Sequence, residues 1–191
     1  MINRFLPYAL IIDGREYAAR TDFGVAIDAL IALADEDLSY DEKAISVLQI
    51  IYPGYREIEN ITEAIVQAYW FLDGGDFIKS AHRSKVRLMD WAQDFKIISS
   101  AVNRVLGYDC RSISYDHKSN TRGLHWWTFL SAYFEIGECT FSSVVSIRDK
   151  NSRSKKLESW EKEYYDSNRE LIDLQTKYSS EEESFFAELG L

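Results

Sequence analysis

The sequence is poor in the residues from which short catalytic and metal-binding motifs are built. Histidine occurs at His82, His117 and His125 only, each alone in its stretch. A zinc site needs ligands that converge, and no spacing here brings a histidine together with cysteine or aspartate. Cys110 and Cys139 are the only cysteines. They match no zinc or redox spacing and are too few for a secreted disulfide scaffold, so both are expected as reduced thiols. A Gly-x-Ser-x-Gly elbow, a phosphate loop and a Gly-x-Gly-x-x-Gly turn are all missing. The expectation is a protein that is not an enzyme and uses no cofactor or metal. His125, beside Trp126, reads better as a hydrogen-bonded histidine at a helix start than as a base.

Other shortages narrow the class further. Two prolines and nine glycines in 191 residues argue against long disordered linkers. No stretch approaches the roughly 20 apolar residues of a membrane span. Met1 to Pro7 carries too short an apolar run for a signal peptide, so the expected location is the cytoplasm. Positive charge is also in deficit. A net charge of −9 opposes non-specific binding to DNA or to an anionic membrane. Two basic stretches run against this balance: Lys79, Arg83, Lys85 and Arg87, then Arg148, Lys150, Arg153, Lys155 and Lys156. Either could meet phosphates, but solvated loops and helix ends are the commoner use of such runs.

Apolar and aromatic residues are what the chain has in quantity. Hydrophobic residues form 46% of it, enough for a core, and aromatics 14%, an excess that signals a bulky core or a partner surface. Tyr8 to Ile12 reads as a strand, Asp13-Gly14 as a two-residue hairpin turn, and Arg15 to Arg20 as the return strand. The exposed edges of such a hairpin are candidate pairing sites. Helices follow. Thr21 or Asp22 caps one that runs to Ala34. Ser39 and Glu42 form a capping box for a second, stopped by Pro53-Gly54. Asn60 starts a third, ended by Asp73-Gly74-Gly75-Asp76. A fourth spans Met89 to Leu106, with Gly107 placed for a left-handed cap. The stretches Phe77 to Arg87 and Ser114 to Gly123 read as loops. Leu124 to Ile136 carries the adjacent Trp126 and Trp127, and Thr140 to Lys150 forms a further short helix. Asp90 and Asp94 are expected to be solvated, or bonded to indole N–H groups and basic residues.

Neighbouring helical residues point about 100° apart, so Trp126 and Trp127 cannot share one direction. One is expected to enter the core with Leu130 and Phe134, and the other to face a flank or groove open to an apolar partner. The C-terminal stretch differs in kind. From Ser154 to Ser179 it lacks glycine and proline and is densely charged. Leu157, Trp160, Tyr164, Ser167, Leu171, Leu174 and Tyr178 recur at three and four, which predicts one long amphipathic helix with a heptad seam. Trp160 is its expected anchor. The fold class is therefore mainly α: a helical domain with an N-terminal β-hairpin over residues 1–150, and a C-terminal amphipathic helix with an acidic tail over 151–191. Removing the tail is expected to leave a folded core that no longer associates.

These elements together resemble a known arrangement. The Asp13-Gly14 hairpin, Asp73-Gly74-Gly75-Asp76, the helix around Asp90 and Asp94, Gly107-Tyr108-Asp109, His125-Trp126-Trp127-Thr128-Phe129 and Ile147-Arg148-Asp149 are similar to a family of small tailed-phage proteins. That family is named after the fifteenth gene product of a Listeria phage, and the resemblance covers residues 8 to 150. It implies a role in tail morphogenesis, as a tail assembly chaperone for the tape measure protein, acting in the host cytoplasm and absent from the mature virion. Partners would be the tape measure or other tail proteins, with a homo-oligomer as a further possibility. The residues expected to meet a partner are Trp126, Trp127, Leu157, Trp160, Tyr164, Leu171, Leu174 and Tyr178. The alternative is a structural or regulatory module with weak nucleic-acid contact.

Overall fold

The structure, a computed structural model, describes residues 5–76, 86–116 and 123–175. It is mainly α with an N-terminal hairpin. Strands β1 (Ala9–Ile12) and β2 (Arg15–Ala18) pair antiparallel, Ile12 opposite Arg15 and Ala9 opposite Ala18. Asp13 and Gly14 both sit at positive φ, as a two-residue turn with the right-handed twist of its strands requires. Leu10 and Ile12 of β1 are buried, while Ile11 between them faces out. The turn is tied to a helix: the Asp13 N–H donates to Glu63 at 2.8 Å, and the Asn60 side-chain amide donates to the Asp13 carboxylate at 3.1 Å.

Helices α1 (Phe23–Ala34), α2 (Tyr40–Ile51) and α3 (Ile61–Leu72) follow, capped by Asp22, Ser39 and Asn60. At the start of α2, Ser39 and Glu42 satisfy each other's backbone N–H groups in the reciprocal box the sequence predicts. Arg20 closes the other end of α2, donating from Nη1 to the carbonyls of Gln49 and Ile50. A cation there also complements the negative end of the helix dipole. Helix α4 (Trp91–Leu106) ends on Gly107 in the left-handed conformation. Helices α5 (Trp126–Phe134) and α6 (Thr140–Ser152) complete the main body. Leu124 and His125, expected inside the tryptophan helix, stay extended because they pair with the entry to α1. Phe23 donates its N–H to the Leu124 carbonyl at 2.9 Å, and Trp126 donates to Thr21 at 2.7 Å.

The C-terminal stretch departs from the expected single helix. It forms two short helices, α7 (Ser159–Ser167) and α8 (Arg169–Ile172). Its start moves to Ser159, and Asn168 breaks it. Ser154 takes φ +53 and closes a Schellman turn on α6, with Ser154 N–H bonded to Asn151 O and Lys155 N–H to Lys150 O. Glycine or asparagine usually marks that position, so a serine there gives no warning. Asn168 then leaves helical geometry, turns its side-chain amide onto the Tyr164 carbonyl, and caps α8.

The break changes which residues are buried. Ile172, off the predicted seam, joins Val144 and Ile147 in a second small core, with Leu157, Tyr164, Tyr165 and Leu171 packed around it. Leu157, Tyr164 and Leu171 thus contact this chain's own α6 region instead of forming a free stripe. Leu174 is half-buried, and Trp160 is exposed at 58%. Tyr178, the acidic run Glu181 to Glu183, Phe185, Phe186 and Leu189 lie outside the described residues, as do 77–85 and 117–122 of the two expected loops.

Candidate functional site: the tryptophan helix and its groove

Four aromatic residues from three helices converge on the start of α5. Phe23 of α1 stacks on Phe129 with centroids 4.9 Å apart, Phe129 stacks on Trp126 at 5.6 Å, and Trp91 of α4 meets Trp126 edge-on at 6.0 Å. Such pairs stabilise by about 0.5–1.5 kcal/mol each beyond the area they bury.

The two tryptophans have one polar task in common. The last carbonyls of a helix have no partner inside it. Trp126 Nε1 donates to the Leu72 carbonyl at 2.9 Å, and Trp127 Nε1 donates to the Phe71 carbonyl at 2.8 Å. Residues pointing about 100° apart on α5 therefore close adjacent carbonyls at the end of α3. Gly74 and Gly75 complete the closure, both at positive φ. Gly75 donates its N–H to Trp70 O, and its missing side chain admits the Trp127 ring, since a Cβ there would lie 2.8 Å from Cη2 of the indole.

Trp126 is only 1% exposed. Of the two tryptophans it is the one that enters the core, inward-facing with Phe129 and Leu130. Trp127 is half-buried and stacks edge-on against Trp70. Phe134 also differs from expectation. It lies seven positions after Trp127, nearly two full turns, so it shares the outer face with Trp127 and is 74% exposed. Phe5, Leu6, Asp73, Asp76, Trp127 and Phe134 are among the residues that line a groove of about 440 Å³. Phe5 is 83% exposed. The sequence reading missed Phe5, Leu6 and Phe134 as surface residues. The spacing from Trp127 to Phe134 was the available signal.

His125 holds the groove's N-terminal wall in place. Its Nδ1 accepts the Trp127 N–H at 3.0 Å as the α5 cap, and its Nε2 lies 2.8 Å from the Pro7 carbonyl. Only the neutral ring with its proton on Nε2 makes both bonds. The Tyr8 ring packs edge-on at 5.1 Å. Burial lowers the His125 pKa, and the Pro7 carbonyl opposes this with a smaller effect. A base with a depressed native pKa is neutral in both states at high pH. As pH falls through about 6.5 the unfolded chain takes up the proton first, so stability declines from there downward. Denaturant melts at steps from pH 8 to pH 5.5 should show wild type losing more stability than His125→Gln. Parallel curves for the two proteins would mean that His125 does not carry this dependence.

The second basic stretch is largely used within the chain. Arg148 is buried and donates to both oxygens of Asp94, at 2.7 and 2.9 Å. Lys150 binds Glu161 at 2.6 Å, and Arg153 binds Asp149 at 2.7 Å. Asp94 is thus bonded to a basic residue, as one of the two expectations had it, and is buried rather than solvated. Asp90 caps α4 by accepting the Gln93 N–H and pairs with Arg87. Cys110 and Cys139 are both free thiols. Among the described residues no helix is long and apolar enough to cross a membrane.

The family model described as Bacteriophage Gp15 protein matches residues 2–174. The chain belongs to the bacteriophage Gp15 protein family. No curated protein and no solved structure matches it. The family match extends past the predicted boundary at 150 and takes in α7 and α8, the elements that dock on the Gp15 helical body through Ile172.

Proposed function

We propose that this Gp15-family protein is a non-enzymatic tail morphogenesis factor, a tail assembly chaperone that holds the tape measure protein until tail-tube subunits surround it. Family membership over residues 2–174 carries the reading. Physical features agree with it. A tape measure is long, helical and prone to aggregate, so its holder needs exposed apolar contacts on a body that repels its own copies. The groove beside Trp127 and Phe134 offers the contacts, and a net charge of −9 supplies the repulsion. Use as a nucleic-acid module has less support, because Arg148, Lys150 and Arg153 are already engaged with Asp94, Glu161 and Asp149.

Co-expression with the tape measure protein of the same phage tests the proposal. The tape measure should be recovered in the soluble fraction and co-purify with this chain, and should aggregate when expressed alone. Equal recovery with and without this chain, or recovery without co-purification, would rule the chaperone role out.

A further inference from the structure

The C-terminal arm, α7 and α8 with the residues up to Gln175, is seated on α4 and α6. Arg148 of α6 donates to the carbonyls of Ile172 and Leu171 at 2.6 and 3.0 Å, and Lys150 of α6 binds Glu161 at 2.6 Å. The Gln93 side chain of α4 accepts the Gln175 N–H at 3.0 Å and donates to the Asp173 carbonyl at 2.8 Å. Ile172 completes the small core with Val144 and Ile147. Each of these contacts joins the arm to the body across residues 154–158. The seat on α4 and α6 therefore fits the arm of any copy of the chain, and the connector decides which copy supplies it.

That connector is at odds with its own sequence. Ser154 holds φ +53, in the left-handed region where a side chain is strained and glycine is the usual residue. Residues 138–189 contain neither glycine nor proline, so no strong helix breaker stands between α6 and α7. A straightened connector would free Ser154 from the left-handed region and add helical backbone bonds, but it would carry the arm away from its own α6. Both demands are met when the arm lands on a second copy, since a strained hinge favours such an exchange. We propose that α7–α8 is an exchangeable arm: the connector straightens and two copies trade arms, each Arg148 receiving the Leu171 and Ile172 carbonyls of the other. The closed and exchanged forms share their docking contacts and differ at the connector. Exchange passes through an undocked arm, so it is slow unless mild denaturant opens the seat.

Charge exchange between copies separates this from ordinary association. In Lys150→Glu two carboxylates face each other within the chain, and in Glu161→Lys two ammonium groups do. When the two full-length variants are mixed, opposite charges meet at both seats only if the chains trade arms. Each variant, and their equal mixture, is taken through mild urea, returned to buffer and weighed by native mass spectrometry. The heterodimer should exceed the homodimer of either variant by roughly fivefold or more. In the otherwise wild-type chain, Ser154→Gly should lower the dimer fraction and Ser154→Ala should raise it. Glycine relieves the closed turn, and alanine favours the straightened helix.

Three results would each overturn the proposal: wild type that stays monomeric after the same treatment, a heterodimer no more abundant than random pairing of the two chains gives, or a dimer fraction for Ser154→Gly that equals or exceeds that for Ser154→Ala. Circular dichroism checks that the charge variants refold. If one does not, the order of the two Ser154 variants, whose substitution lies on the exposed connector, decides the matter. The exchange stands or falls separately from the chaperone role, which the co-expression experiment tests.

Discussion

Arg148→Met should lower stability by about 3–5 kcal/mol, read from the urea midpoint at pH 7. All the donors of the guanidinium are in use. Nε reaches Ile172 O at 2.6 Å; Nη1 reaches Leu88 O at 3.1 Å and Asp94 at 2.7 Å; Nη2 reaches Asp94 at 2.9 Å and Leu171 O at 3.0 Å. Asp94 is 0% exposed, so removing its partner leaves a carboxylate in an apolar site with no water to turn to. Three backbone carbonyls lose donors at the same time. Replacing both members of the pair, as in Asp94→Leu with Arg148→Met, should be less damaging than Arg148→Met alone, because the uncompensated charge is gone. A loss below about 1 kcal/mol for the single variant would show that the pair holds nothing together. The same contacts reverse the expectation for truncation. Ending the chain at residue 153 removes Ile172 and two of the acceptors on Arg148, so the shortened protein should be markedly less stable instead of retaining an intact core.

Trp126→Ala should cost about 3–5 kcal/mol, the range for truncating a large buried aromatic. The ring fills the space between Trp91 and Phe129, and its N–H closes the Leu72 carbonyl. Trp126→Phe keeps most of the ring volume and loses the donor, so it should cost less, about 1–3 kcal/mol for the unsatisfied carbonyl together with a small void. Trp127→Ala should fall below Trp126→Ala because Trp127 is only half-buried. Guanidinium or urea melts of the three variants give the order directly. If Trp127→Ala proved the more damaging, the assignment of Trp126 as the inward residue would be wrong.

Local chemistry made much of this protein legible before folding. Asp13-Gly14, the Ser39–Glu42 box, Asn60, the glycines after Leu72 and Gly107 each act within a few residues of where they stand, so their meaning travels with the sequence. The mainly α class with an N-terminal hairpin follows from them and from apolar periodicity, and the motifs pointed to the phage family that the match over residues 2–174 shows. Burial and pairing across long separations were not legible. Trp126 and Trp127 are equivalent as letters; only the position of the α3 end decides that one is core and the other wall. Phe134 reads as an ordinary apolar helix residue until the turn of α5 carries it outward with Trp127. Arg148 reads as one of five basic residues, and becomes the central ion of the C-terminal docking only because Asp94, 54 positions earlier, is brought against it. The long C-terminal helix failed for a related reason. Ser154 and Asn168 are tolerated in helices, so local propensity does not forbid the seam. The energy that breaks it comes from seating Ile172 on α6 and its carbonyl on Arg148, contacts that exist only once the helices have assembled.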